Sequence, residues 1–231
     1  MEELGREFFD LEVIRGMFPG LLTEAMKNTL VFTFFSFLGG ITLGLVLALM
    51  RISGRRLLRW PAAVYIDVMR GLPALLTIVF IGFGLPIATG VQFPYPRYTP
   101  GCLALSLVYG AYIAETIRAG IEAVPRGQVD AARSLGMPYP TVMREVVVPQ
   151  AFRIVVPPLT NELLALFKDT SLLAVLGTVA GGKEILKFAR DLVNTTGNTS
   201  PLVAGGLAYL VITLPLLRLV SRLDARSRPA R

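Results

Sequence analysis

The sequence has no histidine, one cysteine and little charge: Asp, Glu, Lys and Arg make up 17% of its 231 residues. Without histidine there is no His-based triad and no imidazole to titrate near neutral pH, and the commonest metal ligand is gone. A lone Cys102 permits neither an internal disulfide nor a cysteine metal cluster. Intramembrane hydrolysis and metal-dependent chemistry are therefore not expected. Acids are also scarce, 16 against 23 basic residues, giving a formal net charge of +7. The first twenty residues are acidic and lack a basic stretch before an apolar core, so they do not read as a signal peptide.

What the chain has instead is apolar length. Hydrophobic residues make up 53% of it and the mean hydropathy is +0.60. Uncharged runs of about 20 residues, enough for ~30 Å of hydrocarbon, recur along it. A soluble domain would alternate apolar and polar faces instead. Five spans are expected: one containing residues 30–50 and starting near Thr23, then residues 60–83, 99–118, 152–176 and 201–219. Lipid leaves backbone groups no external partner, so helices are the expected form, and the fold class is all-α and polytopic. Gly39, Gly40, Gly44 and Pro73 fall inside spans, where neighbouring helices make them tolerable.

Basic residues set the expected orientation. Arg51, Arg55, Arg56 and Arg59 occupy the first connection, Arg126, Arg133, Arg144 and Arg153 the third, and Arg222, Arg226, Arg228 and Arg231 the tail. The other side has Arg97, with Lys183, Lys187 and Arg190 as the exception. This places the N-terminus outside, the C-terminus inside and residues 130–149 in the cytoplasm. The positive charge then reads as an orientation signal with affinity for anionic headgroups, not as a nucleic-acid surface. Residues 1–22 read as an external amphipathic segment anchored by Phe8, Phe9, Leu11, Ile14 and Phe18. Residues 23–222 are the membrane domain, and residues 223–231 a basic cytoplasmic tail.

One segment imitates a nucleotide site. GTVAGGKE at residues 177–184 matches the phosphate-loop spacing except for Glu184, which replaces the Mg²⁺-holding hydroxyl and would repel phosphate. No strand precedes it. Nucleotide binding is not expected in this chain.

The polar segment DAARSLGMPYPTVMREVVVP, residues 130–149, lies between two apolar stretches within a loop spanning residues 124–150. Pro125 suits the first turn of a helix, because its missing N–H is unneeded there. A short helix over residues 126–135 follows. Gly136 can end it in the left-handed conformation, and Pro138 and Pro140 block its resumption. Ala131 and Ala132 allow close approach of another backbone, while Val129, Leu135 and Met137 offer an apolar patch. So short a helix is marginal alone and needs a partner surface. The plainer alternative is an ordinary connector between spans.

Asp130-Ala131-Ala132, then Gly136 and, after nine intervening residues, Val146, Val148 and Pro149, resemble the EAA loop of permeases in binding-protein-dependent ABC importers. RGLP at residues 70–73, AYIAETIRAGIEAVPRGQ at 111–128, PQAFR at 149–153, PPLTNE at 157–162 and KDTSL at 168–172 extend the resemblance. Together they are similar to permease subunits of polar amino acid importers. Asp130 stands where the family has Glu, Val146 and Val148 where it has Ile and Leu, and RGLP where RGTP is commoner. The resemblance implies an ATP-driven pore made with a second permease copy or a paralogue. An external substrate-binding protein would supply the amino acid. Two ATPase subunits would carry ATP and Mg²⁺, so this chain would hold no cofactor and perform no covalent chemistry. Arg126, Gln128, Asp130, Ala131, Ala132 and Gly136 are the implied ATPase-coupling residues.

Charges inside a membrane are costly and face water or a partner, which picks out a candidate substrate path. Glu115, Ala119 and Glu122 share a stripe of the third span, with Arg118 in reach of both acids. The fourth span has neighbouring stripes, Asn161–Ala165–Lys168 and Glu162–Leu166–Asp169, followed by Thr170 and Ser171. Asp67 and Arg70 sit in the second. An amino acid zwitterion needs both signs, and this set supplies them. Structural ion pairing, such as Lys168 with Glu115 or Asp67 with Arg70, is the competing explanation. Two other classes stay open: a secondary transporter, which would show a repeat of broken spans, and a membrane anchor, which would not explain the charged stripes.

Overall fold

The computed structural model describes residues 7–96, 98–177 and 181–227. Arg97, Arg228, Arg231, the first six residues and positions 178–180 of the GTVAGGKE segment lie outside them. Every regular element among the described residues is helical.

Helix α1 runs from Leu11 to Ile52. Asp10 caps it, its Oδ1 accepting from the N–H groups of Glu12 and Val13 at 2.9 and 3.2 Å. The boundary expected near residue 22 falls inside a widened π-turn, Leu21–Met26, and the helix continues through it. Just before that turn Pro19 lacks a donor, and the Thr23 hydroxyl donates to the Pro19 carbonyl at 2.8 Å. Phe8, Phe9, Leu11 and Phe18 are exposed. Ile14 packs instead with Met17, Leu21 and Ala25 against Ile185, Ala204 and Ala208.

The second expected span is two helices, α2 (Arg56–Gly71) and α3 (Ala74–Thr89), bent by 104°. Pro73 offers no N–H and disfavours helical backbone at the residue before it. Leu72 accordingly adopts φ −88°, ψ 142°. Helix α4, Thr99–Glu122, is unbroken and apolar. Helix α5, Arg126–Ser134, leads through a turn at Tyr139–Val142 and a π-turn at Met143–Val147 into α6, Val148–Asp169. A 3₁₀ stretch, Thr170–Leu176, follows, then α7, Ile185–Thr196, and α8, Ser200–Ser227.

Among the described residues three helices are long and apolar enough to cross a bilayer, and four if the bent pair counts as one span. Helix α6 has the length, 22 residues, or about 33 Å at 1.5 Å per residue. Gln150, Arg153, Asn161, Glu162, Lys168 and Asp169 make it less apolar than the other three.

Helices α1 and α4 form the most extensive contact in the fold. Phe32, Leu105, Ile113, Leu166 and Leu173 fill the core around them, with Ile78 from α3. Glycine makes the approach possible: a Cβ at Gly44 would lie 2.8 Å from Ile113 Cγ2, and one at Gly110 would lie 2.8 Å from Leu43 Cδ2. At the opposite end from the α1–α2 connection, polar groups lock the loop before α7. The Asn28 amide donates to the carbonyls of Gly181 and Lys183 at 3.2 and 3.0 Å, and Tyr98 donates to Asn28 Oδ1 at 2.6 Å. Glu184, fully buried, is the N-cap of α7, accepting from Leu186 N–H at 2.7 Å, from Lys187 N–H, and from Tyr209 OH at 3.1 Å. Lys183 and Lys187, two of the three exceptions to the charge rule, both pair with Asp191.

Candidate functional site

Two groups of residues stand out, a polar cluster where α2, α4 and α6 meet and the exposed helix α5. The cluster begins with Arg70, placed in the last turn of α2 by the break at Leu72 and Pro73. A cation there also suits the negative end of the helix dipole. Its guanidinium lies 5.6 Å from the centroid of the Tyr112 ring and 4.0 Å from Glu115 Oε2.

Glu115 is the junction of three arginines from three helices. Arg118 Nη2 approaches it to 2.7 Å and Arg118 Nε donates to both carboxylate oxygens at 3.1 Å, while Arg51 lies at 3.9 Å. Arg118 also holds Glu122 at the end of α4. The i, i+3 and i, i+4 relations expected on that stripe are therefore present, closed upon one another. The close contacts lie within α4, and the longer ones to Arg51 and Arg70 reach α1 and α2. Neither Lys168–Glu115 nor Asp67–Arg70 forms among the described residues; the partners of Glu115 are Arg118, Arg51 and Arg70.

The two stripes of α6 part company. Glu162 and Asp169 are half-buried, and Asp169 Oδ2 accepts from Tyr109 OH at 2.8 Å. Asn161 and Lys168 are exposed, and Lys168 makes no ion pair among the described residues. Ser171 is half-buried on the first 3₁₀ turn. Thr170 departs from expectation. It is fully buried and its hydroxyl donates to the Phe167 carbonyl at 2.7 Å, so it faces the interior and not a passage. That back-bond is the ordinary recourse of a threonine with no water to reach.

Three members of the cluster escaped the sequence reading: Arg51, Tyr109 and Tyr112. The tyrosines stand three residues apart on α4 and Tyr112 three before Glu115, so their helical stripe was a usable signal. Arg51 gave none, because its pairing depends on how α1 packs against α4.

Helix α5 ends in a Schellman arrangement. Gly136 has φ +83°, its N–H donates to the Arg133 carbonyl at 3.0 Å, and Met137 N–H reaches Ala132 O at 3.3 Å. The helix sits on a small core of Val124, Val142, Val147 and Ala151. Arg126, Gln128, Asp130 and Ala131 are exposed, as is Leu135 at 84%. The alanine pair is divided. Ala131 faces outward, but Ala132, 7% exposed, is packed into the chain's own core, so its close approach is to Val142 and Val147 and not to another subunit. Gln128 Oε1 accepts from Gln150 Nε2, tying the helix to the foot of α6.

A polar cluster thus lies among membrane-length helices, with a small amphipathic helix mounted beside them. Residues 40–229 match the family of binding-protein-dependent transport system inner membrane components, and the chain belongs to that family. It is 37% identical over 196 residues to the arginine transport system permease protein ArtQ of Bacillus subtilis (strain 168), covering 84% of this chain and 87% of that one. It is 38% identical over 205 residues to the probable glutamine ABC transporter permease protein GlnM of the same organism, covering 88% and 91%. A solved structure of an amino acid ABC transporter with histidines superposes with a TM-score of 0.83 at 34% identity, covering 91% of this chain and 95% of that one. The MetNI methionine ABC transporter, at 17% identity and a TM-score of 0.75, shares the fold.

Proposed function

We propose that this chain forms half of the pore of an ATP-driven amino acid importer and that α5 transmits ATPase movement to its helices. The observation that carries the coupling role is the mounting of α5: an exposed outer face, a Schellman end at Gly136, and a core shared with the foot of α6. A nine-residue helix depends on its packing to persist, and the core and the Gln128–Gln150 bond it shares with the foot of α6 give a push on its outer face a route to that helix. ATPase subunits holding ATP and Mg²⁺ are the partners for that face, and an external binding protein is the partner at the other end. The charge distribution supports a cytoplasmic location for α5 and the C-terminus.

An amino acid substrate is supported by the relatives named for arginine and glutamine transport and by the chemistry of the cluster. Glu162 and Asp169 offer negative charge and Arg70 positive charge, the two needs of a zwitterion. Lys168 is exposed on a helix of membrane length, where an unpaired charge costs about 2.5–3.5 kcal/mol unless it meets water or an acid. Its face therefore belongs against a water-filled pore completed by a second permease copy or a paralogue.

The test is uptake by the assembled complex in vesicles, with the ATPase and the binding protein omitted in turn. Uptake that needs both supports the proposal; uptake driven by an ion gradient without ATPase sinks it. A cysteine at the exposed Ser134 should react with an impermeant reagent from the cytoplasmic side only, and labelling from outside would reverse the orientation.

A further inference from the structure

A cavity of about 890 Å³ opens where the end of α1, the start of α2, the end of α4 and the start of α5 converge. Arg51, Arg59, Arg118 and Arg126 line it with a single carboxylate, Glu122. Arg118 is held by Glu115 and Glu122, and Arg51 leans on Glu115, whereas Arg59 and Arg126 make no ion pair among the described residues. The first turn of α5, which has no capping side chain, adds the positive end of its dipole. Most of the remaining wall is apolar, including Ile52, Ile121, Val129, Met143 and Val147, with Ser53 and Tyr139 as its polar members.

We infer that this cavity is a binding site for the phosphate-bearing headgroup of an anionic phospholipid. Cationic and apolar walls in one slot match a phosphodiester joined to glycerol esters better than they match free phosphate, which would gain nothing from the apolar half. The neighbouring surface points the same way. Leu57 and Trp60, 90% and 71% exposed, share one stripe of the first turns of α2, around the helix from Arg59, and exposed aromatic and aliphatic side chains on the same turns as arginine mark a membrane–water interface. An inner-leaflet source rests on the cytoplasmic placement proposed above. Basic pockets on that side take anionic headgroups by charge.

The site would lie between α1–α2 and the α5 mounting, so its occupant would brace the coupling helix against the membrane. Native mass spectrometry of the purified permease–ATPase complex, exchanged into mixed phosphatidylglycerol and phosphatidylcholine, tests this. Wild type should retain phosphatidylglycerol preferentially. Arg59→Gln should reduce that preference about fivefold, the worth of one basic residue at an anionic surface, and Arg59→Glu should abolish it. Gly54→Trp, at a position where a Cβ meets nothing within 4 Å, should occlude the slot and lower lipid occupancy without touching the arginines. Equal retention of both lipids, or no change in all three variants, overturns the inference. So does displacement of the lipid by inorganic phosphate, which would make the site a phosphate site. Retention by the permease alone but not by the complex also overturns it, because the ATPase would then fill the slot. None of these readings depends on orientation, so failure here is distinct from failure of the cysteine labelling.

Discussion

Tyr109 on α4, buried in the main core, donates its hydroxyl to the half-buried Asp169 on α6 at 2.8 Å, joining the two helices. The bond gives Asp169 two separable properties, an acceptor for tyrosine and a negative charge. Asp169→Asn keeps the first and deletes the second, so the complex should assemble normally. Asp169→Leu leaves the phenol unpaired and should cost about 1–3 kcal/mol of stability. Uptake by the Asn variant then reports on charge alone. A loss with intact assembly puts Asp169 on the substrate path; normal uptake makes it a structural acceptor.

Glu115 and Lys168 should behave in opposite ways. Glu115→Gln leaves Arg51, Arg70 and Arg118 around a neutral amide, and the expected outcome is poor assembly on size-exclusion chromatography. Lys168→Met removes an exposed charge with no ion pair among the described residues, so assembly should survive while uptake falls. Reversal of that pattern would exchange the structural and transport roles.

The divided alanine pair makes a sharp comparison. Ala132→Glu places a carboxylate among Val124, Val142 and Val147 and should prevent folding of the loop, seen as low yield or rapid proteolysis. Ala131→Glu sits on the exposed face and should leave the permease folded while weakening ATPase docking in a pull-down. Normal ATPase docking by the Ala131 variant would remove that face from the coupling surface.

Gly136 isolates a backbone effect. A Cβ there meets nothing within 4 Å, so Gly136→Ala adds only the left-handed penalty, about 1 kcal/mol, with no clash. Gly136→Asn, which tolerates that conformation, should transport nearly as wild type, with Gly136→Ala lower and Gly136→Val lowest. Equal uptake from all three would show that the cap does not matter for coupling.

Burial pushes the Glu184 carboxyl up to about 7, against the opposing pull of the Leu186 and Lys187 N–H groups and the Tyr209 hydroxyl. The folded chain thus binds this proton more tightly than the unfolded one. Stability from this group is greatest below about pH 4.5 and declines as pH rises towards 7, by about 3 kcal/mol in all. Glu184→Gln should flatten this part of the profile. The check is the wild-type-minus-variant difference in Tm between pH 5 and pH 8, and an unchanged difference would refute the shift.

Features set by neighbours in the chain were legible from sequence. Pro125, Gly136 and the prolines beyond it define α5 within a residue of its observed end, because capping is local chemistry. Other features depended on packing between distant segments. Pro73 was visible, yet whether it would kink a span gently or turn it by 104° depends on what receives α3, namely the Ile78 side facing α4. Alternation along nine residues could not say which alanine of the pair would be covered, since the cover comes from Val142 and Val147. Thr170 carried the polarity of a path residue, but its hydroxyl found a carbonyl one turn back.

The glycine contact between α1 and α4 has a mechanical consequence. Gly44 and Gly110 let the Ile113 and Leu43 side chains seat directly on the facing backbones, and a slip along the helices would drive those side chains into positions that carry a Cβ. Any rearrangement that opens the subunit to one side or the other must carry these two helices as a single strut and take up its displacement at softer joints. The bend at Leu72–Pro73 and the π-turn at Met143–Val147 are irregular segments of that kind.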